Sequence, residues 1–215
     1  MAQERQQPIG LPAPCILGID LGTTSVKVAL VEKTNRGPSL VASCTEPVQA
    51  DVPIRDAQLR ENEQDVHGII EALNCCLVSL SPDFTQRVCC IGVSGQMHGV
   101  MFWEAGKGST WTESGGRWTF RPDKVSHLIT WQDGRCSPHF LSSLPAPRSH
   151  LSVASGYGCA TVFWLLKNRY MQIINQKCSL FFYVFGNKVF FKKKLSHILI
   201  SFKNQVLPPL RLLYA

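Results

Sequence analysis

Ten residues near the N-terminus hold the densest chemistry in the chain: Gly18-Ile19-Asp20-Leu21-Gly22-Thr23-Thr24-Ser25-Val26-Lys27. A glycine in a tight turn lets backbone N–H groups approach an anion closely and form a nest for a phosphate. Thr23, Thr24 and Ser25 add three successive hydroxyl donors, and Lys27 adds a positive charge two residues past the turn. Asp20 ends the preceding apolar run. A carboxylate there repels phosphate but can hold a hydrated Mg²⁺ that bridges to it. The stretch is not a Walker A loop, because G-x-x-x-x-G-K-[ST] is not met. A hairpin with a polar turn is the plainer reading of the same residues.

The elements around the turn follow from periodicity. Cys15–Leu21 and Val26–Glu32 are apolar runs separated by four turn residues, which predicts a β-hairpin. After Asn35-Arg36-Gly37-Pro38, the run Ser39–Thr45 predicts a third antiparallel strand. Apolar residues at helical spacing predict a helix over Asn62–Leu80, with Asn62 as cap, Asp65 in the first turn and Pro82 as the stop. Strands are expected over Arg87–Val93, Val100–Glu104 and Ser126–Trp131. Gly106–Gly116 reads as a polar, Gly-rich loop, and helices are expected over Ser137–Leu144 and Tyr157–Lys167.

An Asp-Leu-Gly-Thr-Thr turn between two apolar strands, followed by a third antiparallel strand, resembles the first phosphate motif of the ribonuclease-H-like fold shared by actin, Hsp70 chaperones and sugar kinases. Val93-Ser94-Gly95-Gln96-Met97-His98-Gly99-Val100 resembles the G-Q-M-H-G loop of the FGGY carbohydrate kinases. Trp131-Gln132-Asp133-Gly134-Arg135 resembles that family's W-x-D-x-R segment. The resemblance spans residues 15–167 and implies an α/β N-terminal lobe: a mixed sheet with flanking helices.

It further implies ATP-dependent phosphorylation of a ketose with ATP and Mg²⁺ as cofactors. Asp20 would position Mg²⁺ through water, and Gly22, Thr23, Thr24, Ser25 and Lys27 would meet the ATP phosphates. Gln96, Met97 and His98 would line the sugar pocket, with Met97 and His98 the direct contacts. Trp131, Asp133 and Arg135 would shape its rim or orient the substrate. Polyol recognition suits these residue types. Paired hydroxyls need donors and acceptors together, and a C–H face suits Trp.

Each residue has a bland competitor. His98 could be a structural histidine, Asp133-Gly134-Arg135 a surface turn with a weak ion pair, Trp131 a core residue, and Gln132 a backbone partner. Cys75, Cys76, Cys89 and Cys90 read as small buried hydrophobes. The family's general-base aspartate lies further along the chain than Asp133, the last acid here, so no catalytic base is assigned. The second lobe, with its adenosine pocket, is also missing. The expectation is therefore a lobe with little or no activity by itself. A non-catalytic fragment that binds a sugar or a partner, and another ketose kinase of the same family, are the alternatives.

Composition sets the outer limits. Of 215 residues, 45% are hydrophobic and 17% charged, which suits a folded core rather than a disordered chain. Residues 1–167 hold 14 of the 22 Lys and Arg and all 15 Asp and Glu; the 48 residues that follow hold the other eight bases and no acid. The net charge of +7 thus belongs to the C-terminal segment and is no nucleic-acid footprint of the lobe. Lys192-Lys193-Lys194 reads as a solvated patch. Nine cysteines, none in a C-x-x-C pair, argue against a disulfide framework or a Cys-rich zinc site and for a cytoplasmic protein. The polar N-terminus is unlike a targeting peptide, and the longest apolar run, Leu180–Phe185, is too short to span a membrane. Neither nucleic acid nor membrane is an expected partner, and oligomeric state is not legible.

Three segments result: a disordered leader over 1–14, the incomplete lobe over 15–167, and a divergent basic, Phe-rich tail over 168–215. The tail follows neither a helical nor a strand period. It resembles translated non-coding sequence at the end of a truncated isoform.

Overall fold

The alternation within residues 15–34 builds the centre of the fold. In a computed structural model, which describes residues 13–81, 86–114, 117–146, 152–175, 178–183 and 189–191, Cys15 and Leu17 are buried while Ile16 between them is exposed. Val26, Val28 and Leu30 are buried in the same period-2 fashion. These runs form β1 (Cys15–Leu21) and β2 (Ser25–Thr34), paired antiparallel. β3 (Gly37–Pro47) pairs with β2, so the expected meander is present.

The chain then crosses one face of this sheet. β4 (Glu63–Gln64) is only two residues long, and α1 spans Val66–Ser79. The helix therefore starts later than Asn62. Asp65 is its cap, its side chain accepting from His67 N, because Glu63 and Gln64 are held in strand pairing. Val66, Ile69, Ala72 and Cys76 are buried, and the last three pack with the β1–β2 residues. Pro82, the expected stop, lies outside the described residues, but the helix ends just before it, with Leu80 as the C-cap. The crossover returns the chain as β5 (Val88–Gly95), parallel to β1. Such a connection needs an intervening helix, whereas the first three strands need only turns.

A second sheet departs more from the sequence pattern. β6 runs Gly99–Ser114 and pairs with β7 (Arg117–Val125), so most of the expected Gly106–Gly116 loop is hairpin. Cross-strand pairs account for this: Trp111 meets Phe120 at 5.1 Å between ring centroids, and the Thr112 and Thr119 hydroxyls lie 2.7 Å apart. Asn74 of α1 holds the Phe120 backbone, its Nδ2 donating to the carbonyl at 2.7 Å. β8 is Leu128–Ile129 alone, shorter than the Ser126–Trp131 strand expected. Ser126 and Thr130 leave the ladder: Ser126 Oγ accepts from Phe102 N, and Thr130 N donates to Asn62 O.

α2 (Pro138–Ser142) is capped by Ser137. α3 spans Gly158–Asn175, running past the compositional break near Asn168 with non-helical dihedrals at Arg169. Arg169 is tied to Glu61 at 2.9 Å. Beyond it, β9 (Cys178–Tyr183) pairs with β6 and β10 (Val189–Phe191) with β5, both antiparallel. The first sheet then has the order β10-β5-β1-β2-β3, and the second β4-β8-β6-β7 with β9 on β6. Two apolar cores lie beside them, one under α1 and one between β6, α2 and α3. Of the leader, Ala13 is held in place: its carbonyl accepts from Arg87 Nε at 2.8 Å and Nη2 at 2.6 Å. Residues 1–12, Lys192-Lys193-Lys194 and the rest of the chain from 192 onward lie outside the described residues.

Candidate functional site

The ends of β1 and β5 and the β1–β2 turn meet at one edge of the first sheet. Gly22 N–H donates to Ser25 O at 3.0 Å and closes the turn. A Cβ on Gly22 would sit 2.8 Å from Ser25 O, so a side chain there would force the turn open. Asp20 is the register partner of Lys27 on β2 and of Ser94 on β5. Ser94 Oγ donates to Asp20 Oδ1 at 3.0 Å. Asp20 and Lys27 thus share one face of the sheet, at the strand ends that lead into the turn carrying Thr23, Thr24 and Ser25. Thr24 and Lys27 are exposed, and the Thr24 carbonyl accepts from Val48 N at 2.9 Å.

The turn is wired to the loop after β5. Thr23 Oγ1 donates to Gln96 Oε1 at 3.4 Å, Gln96 Nε2 donates to Gln64 Oε1 at 2.9 Å, and Gln64 Nε2 donates to Thr23 O at 2.8 Å. Trp131 Nε1 donates to Thr23 Oγ1 at 3.2 Å, and Gln96 N donates to Leu21 O at 3.1 Å. Segments up to 108 positions apart in sequence therefore converge on Thr23. Gln96 spends both ends of its amide inside this network. Met97 (57% exposed) and Trp131 (49% exposed) present apolar surface to solvent beside it. His98 has a left-handed backbone, φ +61°, unusual for a residue with a side chain. Its ring stacks on Tyr157 at 4.3 Å between centroids and 12° between planes. Tyr157 was absent from the sequence-based set; its place in an apolar helical run hid it.

Asp133 and Arg135 are not on a rim. They are 2% and 3% exposed and form a buried pair: Arg135 Nε donates to Asp133 Oδ1 at 2.7 Å and Nη2 to Oδ2 at 2.8 Å. Asn62 N donates to Asp133 Oδ2 at 2.8 Å, and Arg135 Nη2 also donates to Glu63 Oε1 at 2.9 Å. Arg135 Nη1 is buried with no hydrogen-bond partner, while the guanidinium carbon lies 5.5 Å from the Trp164 ring centroid. Burial opposes the charge on both Glu63 and Arg135, but their mutual pairing outweighs it. The Glu63 carboxyl is held below its usual range by Arg135 and His127, and the Arg135 guanidinium is pushed up by Asp133 and Glu63. Asp133 and Arg135 therefore support the loop from beneath. They also correct the surface-turn alternative, since neither side chain reaches solvent. Above them, Gly156 (φ +82°) lies against Trp131: an added Cβ would fall 1.9 Å from the Trp131 carbonyl oxygen.

Asp20 has one oxygen engaged by Ser94 and stands beside the turn. Among the described residues no group of three or more His, Cys, Asp or Glu is placed to hold a metal ion. A single carboxylate next to hydroxyl and N–H donors would suit a hydrated divalent cation that takes its remaining ligands from water and a bound anion. Cys15, Cys44, Cys75, Cys76, Cys89, Cys90, Cys136 and Cys159 are free. Contrary to the sequence reading, Cys75 and Cys89 are exposed. Cys76 and Cys136 are buried, which raises their thiols to about 12 and about 11. They are inert as nucleophiles at neutral pH.

Residues 15–172 match the N-terminal domain of the FGGY family of carbohydrate kinases. The chain is 57% identical over 158 residues to sedoheptulokinase of Mus musculus, covering 72% of this chain and 33% of that protein. It is 54% identical over 161 residues to sedoheptulokinase of Homo sapiens, covering 73% and 34%. The chain thus spans about a third of the length of the curated relatives it matches. Among solved structures, it superposes on a Plasmodium falciparum glycerol kinase with ADP at a TM-score of 0.55, with 17% identity over 79% of this chain and 32% of that one. A carbohydrate kinase from Novosphingobium aromaticivorans gives a TM-score of 0.50, with 14% identity over 81% and 32%. At those identities the likeness is one of fold.

Proposed function

The chain belongs to the FGGY family of carbohydrate kinases, and from that premise we propose that it is the acceptor-binding lobe of a kinase that phosphorylates a ketose, sedoheptulose, at its 7-hydroxyl. The observation that carries the reading is the junction at Thr23. A turn built of hydroxyls beside Asp20 and Lys27 is hydrogen-bonded to Gln96, adjacent to Met97 and His98. A donor phosphate at the turn and a sugar at the loop would be neighbours, as in-line transfer requires. The high identity to the two sedoheptulokinases supports the choice of sugar.

In this reading the Gly22–Ser25 turn and Lys27 bind the terminal phosphates of ATP and neutralise charge as the γ-phosphoryl group leaves. Asp20 would hold Mg²⁺ through water, and the ion would supply positive charge to the phosphate oxygens. Met97 and Trp131 pack on the C–H face of the sugar, and His98, fixed by Tyr157, hydrogen-bonds its hydroxyls. Asp133 and Arg135 fix the loop's support rather than touching sugar. The free cysteines fit a reducing compartment such as the cytoplasm, and no described helix is long and apolar enough to cross a membrane.

The proton of the attacking hydroxyl needs an acceptor. Asp133, the last acid in the sequence, has both oxygens bonded to Arg135 and Asn62, and Glu63 is paired with Arg135 and His127. The 215-residue polypeptide by itself is thus expected to bind sugar and nucleotide without turnover. Titration calorimetry with sedoheptulose and with Mg-ATP tests the first half: heats of binding that Met97→Ala and His98→Ala diminish for the sugar alone. Release of ADP and sugar phosphate by the pure polypeptide would contradict the second half. No binding of either ligand would contradict the reading for this chain.

A further inference from the structure

We propose that Gln64 is a positioning residue: a buried amide that fixes the distance and orientation between the phosphate turn and the sugar loop. The geometry of this link needs no ligand, although the meaning of its two ends rests on the reading above. Gln64 is 4% exposed. Its backbone is held on both sides, pairing with Leu128 in the β4–β8 ladder and bridging to Asp51. The side chain therefore starts from a fixed point and reaches the two segments just where they leave the β1–β5 ladder, whose last pair is Leu21 and Gly95. Its Nε2 donates to the Thr23 carbonyl at 2.8 Å and its Oε1 accepts from Gln96 Nε2 at 2.9 Å. Gln96 closes the circuit by accepting from Thr23 Oγ1 at 3.4 Å.

The circuit has one consistent direction. The Thr23 hydroxyl donates to Gln96 Oε1, Gln96 Nε2 donates to Gln64 Oε1, and Gln64 Nε2 donates to Thr23's own carbonyl. Every amide is thereby locked against a flip, since reversing any one of them sets oxygen against oxygen or N–H against N–H. The Thr23 hydroxyl, already a donor, still accepts from Trp131 Nε1. Gln64 thus bonds the turn and the loop directly and meets the exposed indole through Thr23. A carboxylate there would face the Thr23 carbonyl, and an apolar side chain would take the Gln64 partner from a half-buried carbonyl and a half-buried amide.

The test uses the whole 215-residue chain and two nearly isosteric variants, Gln64→Glu and Gln64→Met. Its primary readout is the ¹H–¹⁵N spectrum. The Trp131 indole signal, assigned with Trp131→Phe, is expected to shift in both variants. Exchange of the Gln96 backbone amide should quicken by about tenfold, the loss of roughly one net hydrogen bond, while Ile69 in α1 and Leu17 in β1 keep their protection. A merely structural role would loosen all four together. Unchanged Trp131 and Gln96 signals, or uniform loss of protection, overturn the proposal. Should neither variant fold, the wild-type chain still decides: slowly exchanging Gln64 side-chain amide protons are expected, and exchange as fast as that of an exposed glutamine overturns it. In calorimetry both variants should weaken sedoheptulose and Mg-ADP by similar factors, and weakening of one ligand alone overturns the shared role. If the wild-type chain binds neither ligand, the functional reading fails while the spectroscopic result still decides the role of Gln64.

Discussion

Asp133 and Arg135 are two positions apart in sequence and almost sealed from solvent, and that changes what a mutation there measures. Removing one member of a buried pair strands the other charge, at a cost of about 3–5 kcal/mol. Asp133→Ala is therefore expected to lower unfolding stability by that amount in urea titrations. A surface turn would lose under about 1 kcal/mol. Glu63, the third member, adds a pH signature. Its folded pKa lies below the ordinary 4.5, so its charge stabilises the fold above that pH, and the contribution fades as pH falls through the lowered value. The stability difference between wild type and Glu63→Gln should be largest near neutrality and shrink as pH drops below about 4.5. A difference constant from pH 7 to pH 3 would mean that the charge of Glu63 does not matter. The spacing W-x-D-x-R announced that these residues work together, but nothing in it told that Asp133 and Arg135 point inward. Their third partner, Glu63, lies 72 positions from Arg135, a proximity that only the fold creates.

Among elements, the short connections matter most. Gly156 combines φ +82° with an approach to Trp131 that leaves no room for a methyl group. Gly156→Ala should destabilise by about 2–4 kcal/mol in chemical denaturation, since both strain and backbone displacement are forced. An effect below about 0.5 kcal/mol would show that the 153–158 segment moves freely away from the Trp131 carbonyl. The first three strands and α1 were legible because their periods are clean: alternation in Leu17, Val26, Val28 and Leu30, helical spacing in Ile69, Ala72 and Cys76. The β6–β7 hairpin was not, because its residues mix Gly, Thr, Ser and Trp. Pairing there depends on Trp111–Phe120 and on Asn74 from another element. The start of α1 was misplaced for a similar reason: Asn62 looked like a cap, but tertiary partners claim it for Thr130 and Asp133.

At the scale of the molecule, the strands beyond the family match cover edges. β10 lies along β5 at Ile91–Val93, and β9 along β6 at Gly99–Glu104. Unpaired strands invite pairing with other chains. Removing residues 176–215 should therefore raise the apparent mass in size-exclusion chromatography with light scattering and lower the soluble yield. A shortened chain that stays monomeric and equally soluble would show that these edges need no cover.

β1 occupies the middle of its sheet, between β2, which follows it at once, and β5, whose Ser94 comes 74 residues after Asp20. During synthesis at about 5–20 residues per second, roughly 4–15 s separate the two partners' emergence from the ribosome. Through that interval the nascent meander carries a bare flank on the very strand that ends in Asp20. The passage is a natural moment for a chaperone to hold the polypeptide, and slow codons between positions 50 and 90 would lengthen it.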